Sequence, residues 1–151
     1  MAVTVTFRYR YLPPPLSGAA VPEQQNTPRV LVVDDHHDGA ESLGSFLKAL
    51  GCDVRLGHSG DEALRVAPEF QPQLVILDIE MPGMDGYETA RRLRSQEWSR
   101  KSVFASHSGR ADPAIANLSK DAGRDHHIAK PGTAEAFEKM IQLVRERCRE
   151  D

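Results

Sequence analysis

The chain has 151 residues, of which 40% are hydrophobic and 27% charged, with a formal net charge of -3. That size suits one domain around one core, and the acidic balance leaves no basic footprint for direct nucleic-acid contact. No apolar run approaches the about 20 residues that cross a bilayer, and the N-terminus lacks the apolar stretch of a secretory signal.

Residues 1–28 differ from the rest. TVTFRYRYL (residues 4–12) alternates like a strand, but PPP (13–15) and SGAAVPEQQNTP (17–28) have linker chemistry, so residues 1–28 are expected to be a flexible tail and 29–151 the folded domain. RVLVV (29–33) is a short apolar strand that ends in Asp34-Asp35. In DGAESLGSFLKAL (38–50), Ala40, Leu43, Phe46, Leu47 and Leu50 recur at helical spacing, and Gly51 stops the helix. DVRLG (53–57) is the second strand; Ser59 and Glu62 then form a capping box for a helix running towards Pro68. Gln73 opens the third strand, whose run Leu74-Val75-Ile76-Leu77 predicts burial on both faces before it ends in Asp78.

After a loop holding Pro82, Gly83 and Gly86, GYETARRLRSQ (86–96) reads as the third helix. SVFAS (102–106) is the fourth strand, with Ser108 just past it. DPAIANLSKDAG (112–123) is a fourth helix, with Pro113 in its first turn and Gly123 at its end. HHIAK (126–130) is the fifth strand, and the last helix starts at a Thr133 cap with Phe137, Met140, Ile141, Val144 and Cys148 on one face. Five strands alternating with five helices imply an α/β domain, a parallel sheet covered by helices on both sides. The basic runs RRLR (91–94) and RERCR (145–149) fall on helices and read as solvated faces.

In an open parallel sheet, ligands bind beyond the carboxyl ends of the strands. Those ends carry Asp34, Asp35, Asp78, Ser108 and Lys130, with the acids and the lysine expected from central strands. Three converging carboxylates repel and raise one another's pKa unless a cation sits among them. Oxygen donors of this kind suit Mg²⁺, and Lys130 adds a second positive charge.

VLVVDDHHDGAESL, LVILDIEMPGMDGYE and DHHIAKP resemble the acid pair, phosphoacceptor loop and Lys-Pro of response-regulator receiver domains, the CheY-like family of two-component signalling. The order and separations of Asp35, Asp78, Ser108 and Lys130 are also similar, and the likeness is close to receivers associated with hybrid sensor kinases. It implies a flavodoxin-like (βα)5 fold, a doubly wound sheet of five parallel strands. It implies phosphorylation of Asp78, with Mg²⁺ held by Asp35, Asp78 and the backbone carbonyl of Glu80, and Asp34 acting through a metal-bound water. Lys130 would stabilise the phosphoryl charge, and the Lys130-Pro131 bond is often cis in the family. Ser108 would swing towards the phosphoryl group and free space for the ring of His127, where relatives carry Tyr or Phe. Glu80 and Arg110 would flank the site and tune the access of water.

The implied partners are a histidine kinase or histidine phosphotransfer protein and a downstream protein target, with homodimerisation through the switch face as a further option. The expected activity is limited to the protein's own phosphorylation and dephosphorylation, as a single-domain regulator or as a piece of a hybrid kinase. Cys52 and Cys148 lack metal-ligand spacing and read as a buried and a terminal thiol, which with the absence of a signal points to the cytoplasm.

FASHSG departs from the family by placing Ser106 and His107 where small and apolar residues are usual. His36-His37 and His126-His127 read as solvated or packing residues, since neighbours on a strand point to opposite faces. Two other functions compete. An Asp-nucleophile phosphohydrolase of the haloacid-dehalogenase kind would place its nucleophile after the first strand, with a second acid two positions on. A phosphate-independent binding module would have lost an acid, the acceptor or the lysine.

Overall fold

The computed structural model describes residues 27–109 and 126–149, the last two without their side chains. The N-terminal tail up to residue 26, the helix expected at 112–123, Arg110 and the Cys148 thiol lie outside the described residues. The strands are β1 (Arg29–Val33), β2 (Asp53–Gly57), β3 (Leu74–Asp78), β4 (Val103–Ser108) and β5 (His126–Ala129). Among the described residues the α-helices are α1 (His37–Ala49), α2 (Gly60–Phe70), α3 (Gly86–Arg94) and α4 (Ala134–Arg149), with a 3₁₀ helix at Glu97–Lys101.

All five strands run parallel in the order β2-β1-β3-β4-β5, the flavodoxin-like arrangement. Strand alternation splits the core in two. Val30, Val32, Leu74, Ile76, Val103 and Ala105 pack against α1 and α4, while Leu31, Val33, Val75, Leu77 and Phe104 pack against α2 and α3. β3 is buried at every position, as an apolar run covered on both faces should be.

The caps read from sequence are present. Ser59 Oγ accepts from Glu62 N–H at 3.0 Å, and Thr133 Oγ1 accepts from Ala136 N–H at 3.1 Å. Phe137, Ile141 and Val144 of α4 are buried, with Met140 packed beside them.

Several boundaries differ from the sequence reading. Pro68 does not stop α2; it sits in the last turn, and the helix closes at Gln71, whose φ of 49° is left-handed and whose N–H bonds Ala67 O at 2.7 Å. The 3₁₀ helix was not foreseen. It is held by Arg94, whose Nη1 donates to Ser99 O and Ser102 O at 2.7 Å each while the guanidinium covers the Phe104 ring.

β4 begins at Val103 and runs to Ser108, so Ser108 is its last residue rather than a loop residue. Ser106, His107 and Ser108 look like a strand's end because they are polar, yet all three are buried and continue the ladder. Lys130 follows β5, which is an edge strand, not a central one. Its long side chain makes up the distance to the acids.

Candidate functional site

Sheet register builds the site. β1 pairs with β3 so that Val33 lies opposite Leu77, which brings Asp34 and Asp78, the next residues, level at the carboxyl edge. Asp34 is 6% exposed and Asp78 4%, so both carboxylates have lost most of their water. Asp34 Oδ1 accepts the N–H of His36 at 3.0 Å, and its Oδ2 accepts from Lys130 Nζ at 3.0 Å. Asp78 Oδ1 accepts the N–H of Glu80 at 3.2 Å, and Lys130 Nζ lies 3.6 Å from its Oδ2. One ammonium group thus bridges acids from two strands.

The electrostatics follow from these contacts. Burial raises the Asp78 carboxyl to about 6; the ammonium of Lys130 opposes this, while the charge of Asp34 adds to it. Burial also works against ionised Asp34, but the His36 N–H and Lys130 outweigh it and hold its pKa below the usual value. For Lys130, burial disfavours the charge and the two carboxylates more than restore it, so its pKa is raised.

Asp35 is more open, but its Oδ1 is buried without a hydrogen-bond partner among the described residues. An orphaned carboxylate oxygen beside two other carboxylates is the donor set a hard divalent cation would complete, so these residues fit Mg²⁺. Asp34, Asp35, His36 and Asp78 each present one donor atom, all within 4.8 Å of one another.

Around this cup the loops are tightly placed. Gly86 N–H bonds Ile79 O at 3.1 Å, and a Cβ on Gly86 would lie 2.4 Å from Asp78 O, so only glycine lets α3 start against the end of β3. Gly83, with φ of 75°, turns the chain between them. The Lys130-Pro131 peptide is cis. Ser108 is 1% exposed, and its carbonyl accepts from Lys130 N–H at 2.8 Å. His127 lies opposite Ser106 in the ladder, with Nδ1 2.7 Å from Ser106 Oγ.

Asp34, Asp35, Asp78 and Lys130 therefore meet, with the Glu80 N–H at the rim; Ser108 and His127 sit one and two strands along. Sequence reasoning missed two residues. His36, read as solvated or packing, is solvated at 74% side-chain exposure, but it stands at the N-cap of α1 rather than on a strand, with Nδ1 3.3 Å from both Asp34 Oδ1 and Asp35 Oδ1. Its position directly after an acid pair was the available signal. His107 pairs with Asp78 and is 8% exposed, edge-on to Phe137. Burial first, then Lys130, depresses its pKa to about 4, so the ring is neutral.

A doubly wound parallel sheet with an acidic cup at the carboxyl ends of β1 and β3, overseen by a lysine, defines the class. Residues 30–142 match the response regulator receiver domain, and the chain belongs to that family. It is 37% identical over 123 residues to the transcriptional regulatory protein PrrA of Mycobacterium leprae, covering 81% of this chain and 52% of PrrA. It is 36% identical over 124 residues to the response regulator MprA of Mycobacterium ulcerans, covering 82% and 53%. The chain spans about half the length of these curated relatives.

Among solved structures, the chemotaxis protein CheY4 of Vibrio cholerae superposes with a TM-score of 0.74 at 26% identity, over 78% of this chain and 98% of CheY4. A CheY-like receiver domain protein from Methanospirillum hungatei gives 0.74 at 25% identity, over 83% and 99%. Among the described residues no helix is long and apolar enough to cross a membrane.

Proposed function

We propose that Asp78 is the phosphoacceptor of this receiver domain, taking a phosphoryl group from a phosphohistidine on a histidine kinase or histidine phosphotransfer protein. The observation that carries this is the seating of Asp78: nearly buried, its pKa raised by burial, and within 3.6 Å of an ammonium group that Asp34 holds in place. An Asp78 oxygen forms the new P–O bond as the donor's P–N bond breaks, and the departing imidazole takes up a proton. Its raised pKa makes that oxygen more basic while leaving it ionised at neutral pH.

Asp34, Asp35, Asp78 and the backbone carbonyl of Glu80 would hold Mg²⁺, which supplies charge neutralisation at the phosphoryl oxygens. Lys130 turns its remaining N–H donors to a phosphoryl oxygen, and the Glu80 N–H holds one Asp78 oxygen so that the other faces the donor. Ser108 donates its hydroxyl to the phosphoryl group, and β4 shifts with it. Because Ser106 and His127 face each other across β4 and β5, that shift alters the seating of the His127 ring and the surface of β5 and α4. A downstream protein target, or a second copy, binds that surface.

Incubation with Mg²⁺ and acetyl phosphate should add one phosphoryl mass to the wild-type chain and none to Asp78→Asn. An adduct of equal yield in both would remove Asp78 from the role. Sustained release of phosphate from many esters without an adduct would favour a hydrolase.

A further inference from the structure

We propose that the hollow at the amino ends of β1, β3 and β4 binds a compact anion of the phosphate class, carrying two or more negative charges. It lies at the opposite edge of the sheet from the acidic cup. Five-residue strands rising about 3.3 Å per residue set roughly 15 Å between the two. The site is separate from Asp78 and does not depend on its phosphorylation.

Cations from three separate elements enclose this hollow: Arg29 opens β1, Lys101 ends the 3₁₀ helix and Arg147 stands in the last turn of α4. No carboxylate is among the described residues that line it, so positive charge gathers there on a chain whose formal net charge is -3. Like charges held together repel, and an anion among them turns that repulsion into attraction. Arg29 is fixed for such a role. Its Nε donates to Phe70 O at 3.1 Å and Gln71 O at 3.0 Å, and its backbone N–H donates to Gln73 Oε1 at 2.9 Å. The guanidinium plane is therefore set before any ligand arrives, and a planar fork of this kind matches the oxygens of a phosphate.

The rest of the lining sets the size and character of the ligand. Ser102 Oγ is committed to Pro72 O at 2.8 Å, and Trp98 Nε1 donates to Gln96 Oε1. Pro72 and Val144 are buried beneath and add apolar surface. Recognition therefore falls to the cations. The volume is about 160 Å³, well below the roughly 300–1,000 Å³ of pockets that enclose drug-sized ligands. A nucleotide is too large to be enclosed. Inorganic phosphate, pyrophosphate or a small phosphate ester matches both the volume and the charge.

Trp98 is the chain's only tryptophan, so its fluorescence reports on this hollow directly. The full chain is titrated with pyrophosphate at fixed pH and ionic strength, without divalent metal, and the same titration is followed by calorimetry. Wild type should show a saturable fluorescence change and bind one pyrophosphate with a Kd below about 1 mM. Lys101→Gln and Arg147→Gln should each weaken binding about threefold or more, and the double variant about tenfold or more. Arg147→Lys, which keeps the charge, should recover part of the loss. Lys130→Met, which alters the acidic cup, should change binding less than about twofold. Binding that survives the double variant, or that is lost instead with Lys130→Met, overturns the proposal. So does a response that never saturates or that sodium chloride of equal ionic strength reproduces. Absence of an acetyl phosphate adduct would overturn the phosphoacceptor reading but would leave these titrations unchanged.

Discussion

Ser106 Oγ lies 2.7 Å from His127 Nδ1, joining β4 to the edge strand through side chains as well as through the ladder. The bond sits two residues before Ser108 and three before Lys130, so it seats the ring that adjoins the site. Ser106→Ala should cost about 1 kcal/mol, the usual worth of one partly buried hydrogen bond. Urea melts measure the cost, and the His127 ring resonances should broaden or shift in the same variant. Unchanged resonances would mean that the ring is seated by packing alone.

The raised pKa of Asp78 has a definite sign for stability. Folding lifts this carboxyl from 3.8 to about 6, so the native state binds the proton more tightly than the unfolded chain. The ionised side chain therefore destabilises the metal-free protein fully above about pH 6, and not at all below about pH 4. Asp78→Asn should stabilise the metal-free protein by about 1–3 kcal/mol at neutral pH, with the gain vanishing in acid. Denaturation across that pH range checks it; a constant gain at all pH values would assign the effect to something other than the charge.

Lys130→Met removes the partner of two buried carboxylates. A loss of about 1–3 kcal/mol is expected at neutral pH, because the acids are left uncompensated. Asp34, whose pKa is lowered in the fold, contributes stability above 3.8 that disappears as pH falls through its folded value. Lys130, whose pKa is raised, contributes below 10.5 and loses its contribution as pH rises through its own folded value. The deficit of the variant should accordingly be largest between these limits. Equal melts of variant and wild type at neutral pH would show the bridge to be energetically idle.

Gly86→Ala would place Cβ 2.4 Å from Asp78 O and 2.7 Å from Ile79 Cα, both backbone contacts that no rotamer relieves. Destabilisation of about 2 kcal/mol or more is expected, together with weakened beryllofluoride binding because Asp78 is displaced. Gly83→Ala meets no atom within 4 Å but must adopt a φ of 75°, so it should cost less, about 1 kcal/mol. A reversed ranking in urea melts would contradict the packing argument.

Cys52 is buried, and burial raises its thiol to about 11 despite the nearby Arg145. It should resist alkylation in the folded protein and react only after unfolding. Peptide mapping after iodoacetamide treatment reads this directly.

The alternation of apolar strands and amphipathic helices made the order of elements legible, because β1 and β3 carry continuous four-residue apolar runs and α1 and α4 keep their stripes. The acids and the lysine were legible from their order along the chain. The end of β4 was not, since Ser106, His107 and Ser108 carry no apolar signal; partners supplied from β5 and α4 make their burial tolerable. Neither was the edge position of β5, because strand order depends on helix packing that spacing does not encode. The contact of His36 with the acids escaped notice because its histidine pair was judged as part of a strand, whereas His36 stands at the N-cap of α1 with Nδ1 3.3 Å from an oxygen of each acid.

Lys130 leaves a four-residue strand at the border of the sheet and fastens it to an acid two strands beyond its neighbour. This edge strand is thus laced to the middle of the molecule by one ammonium group. Any ligand that draws this group away from Asp34 also loosens the hem of the sheet, so filling the cup and releasing the border are two faces of a single equilibrium.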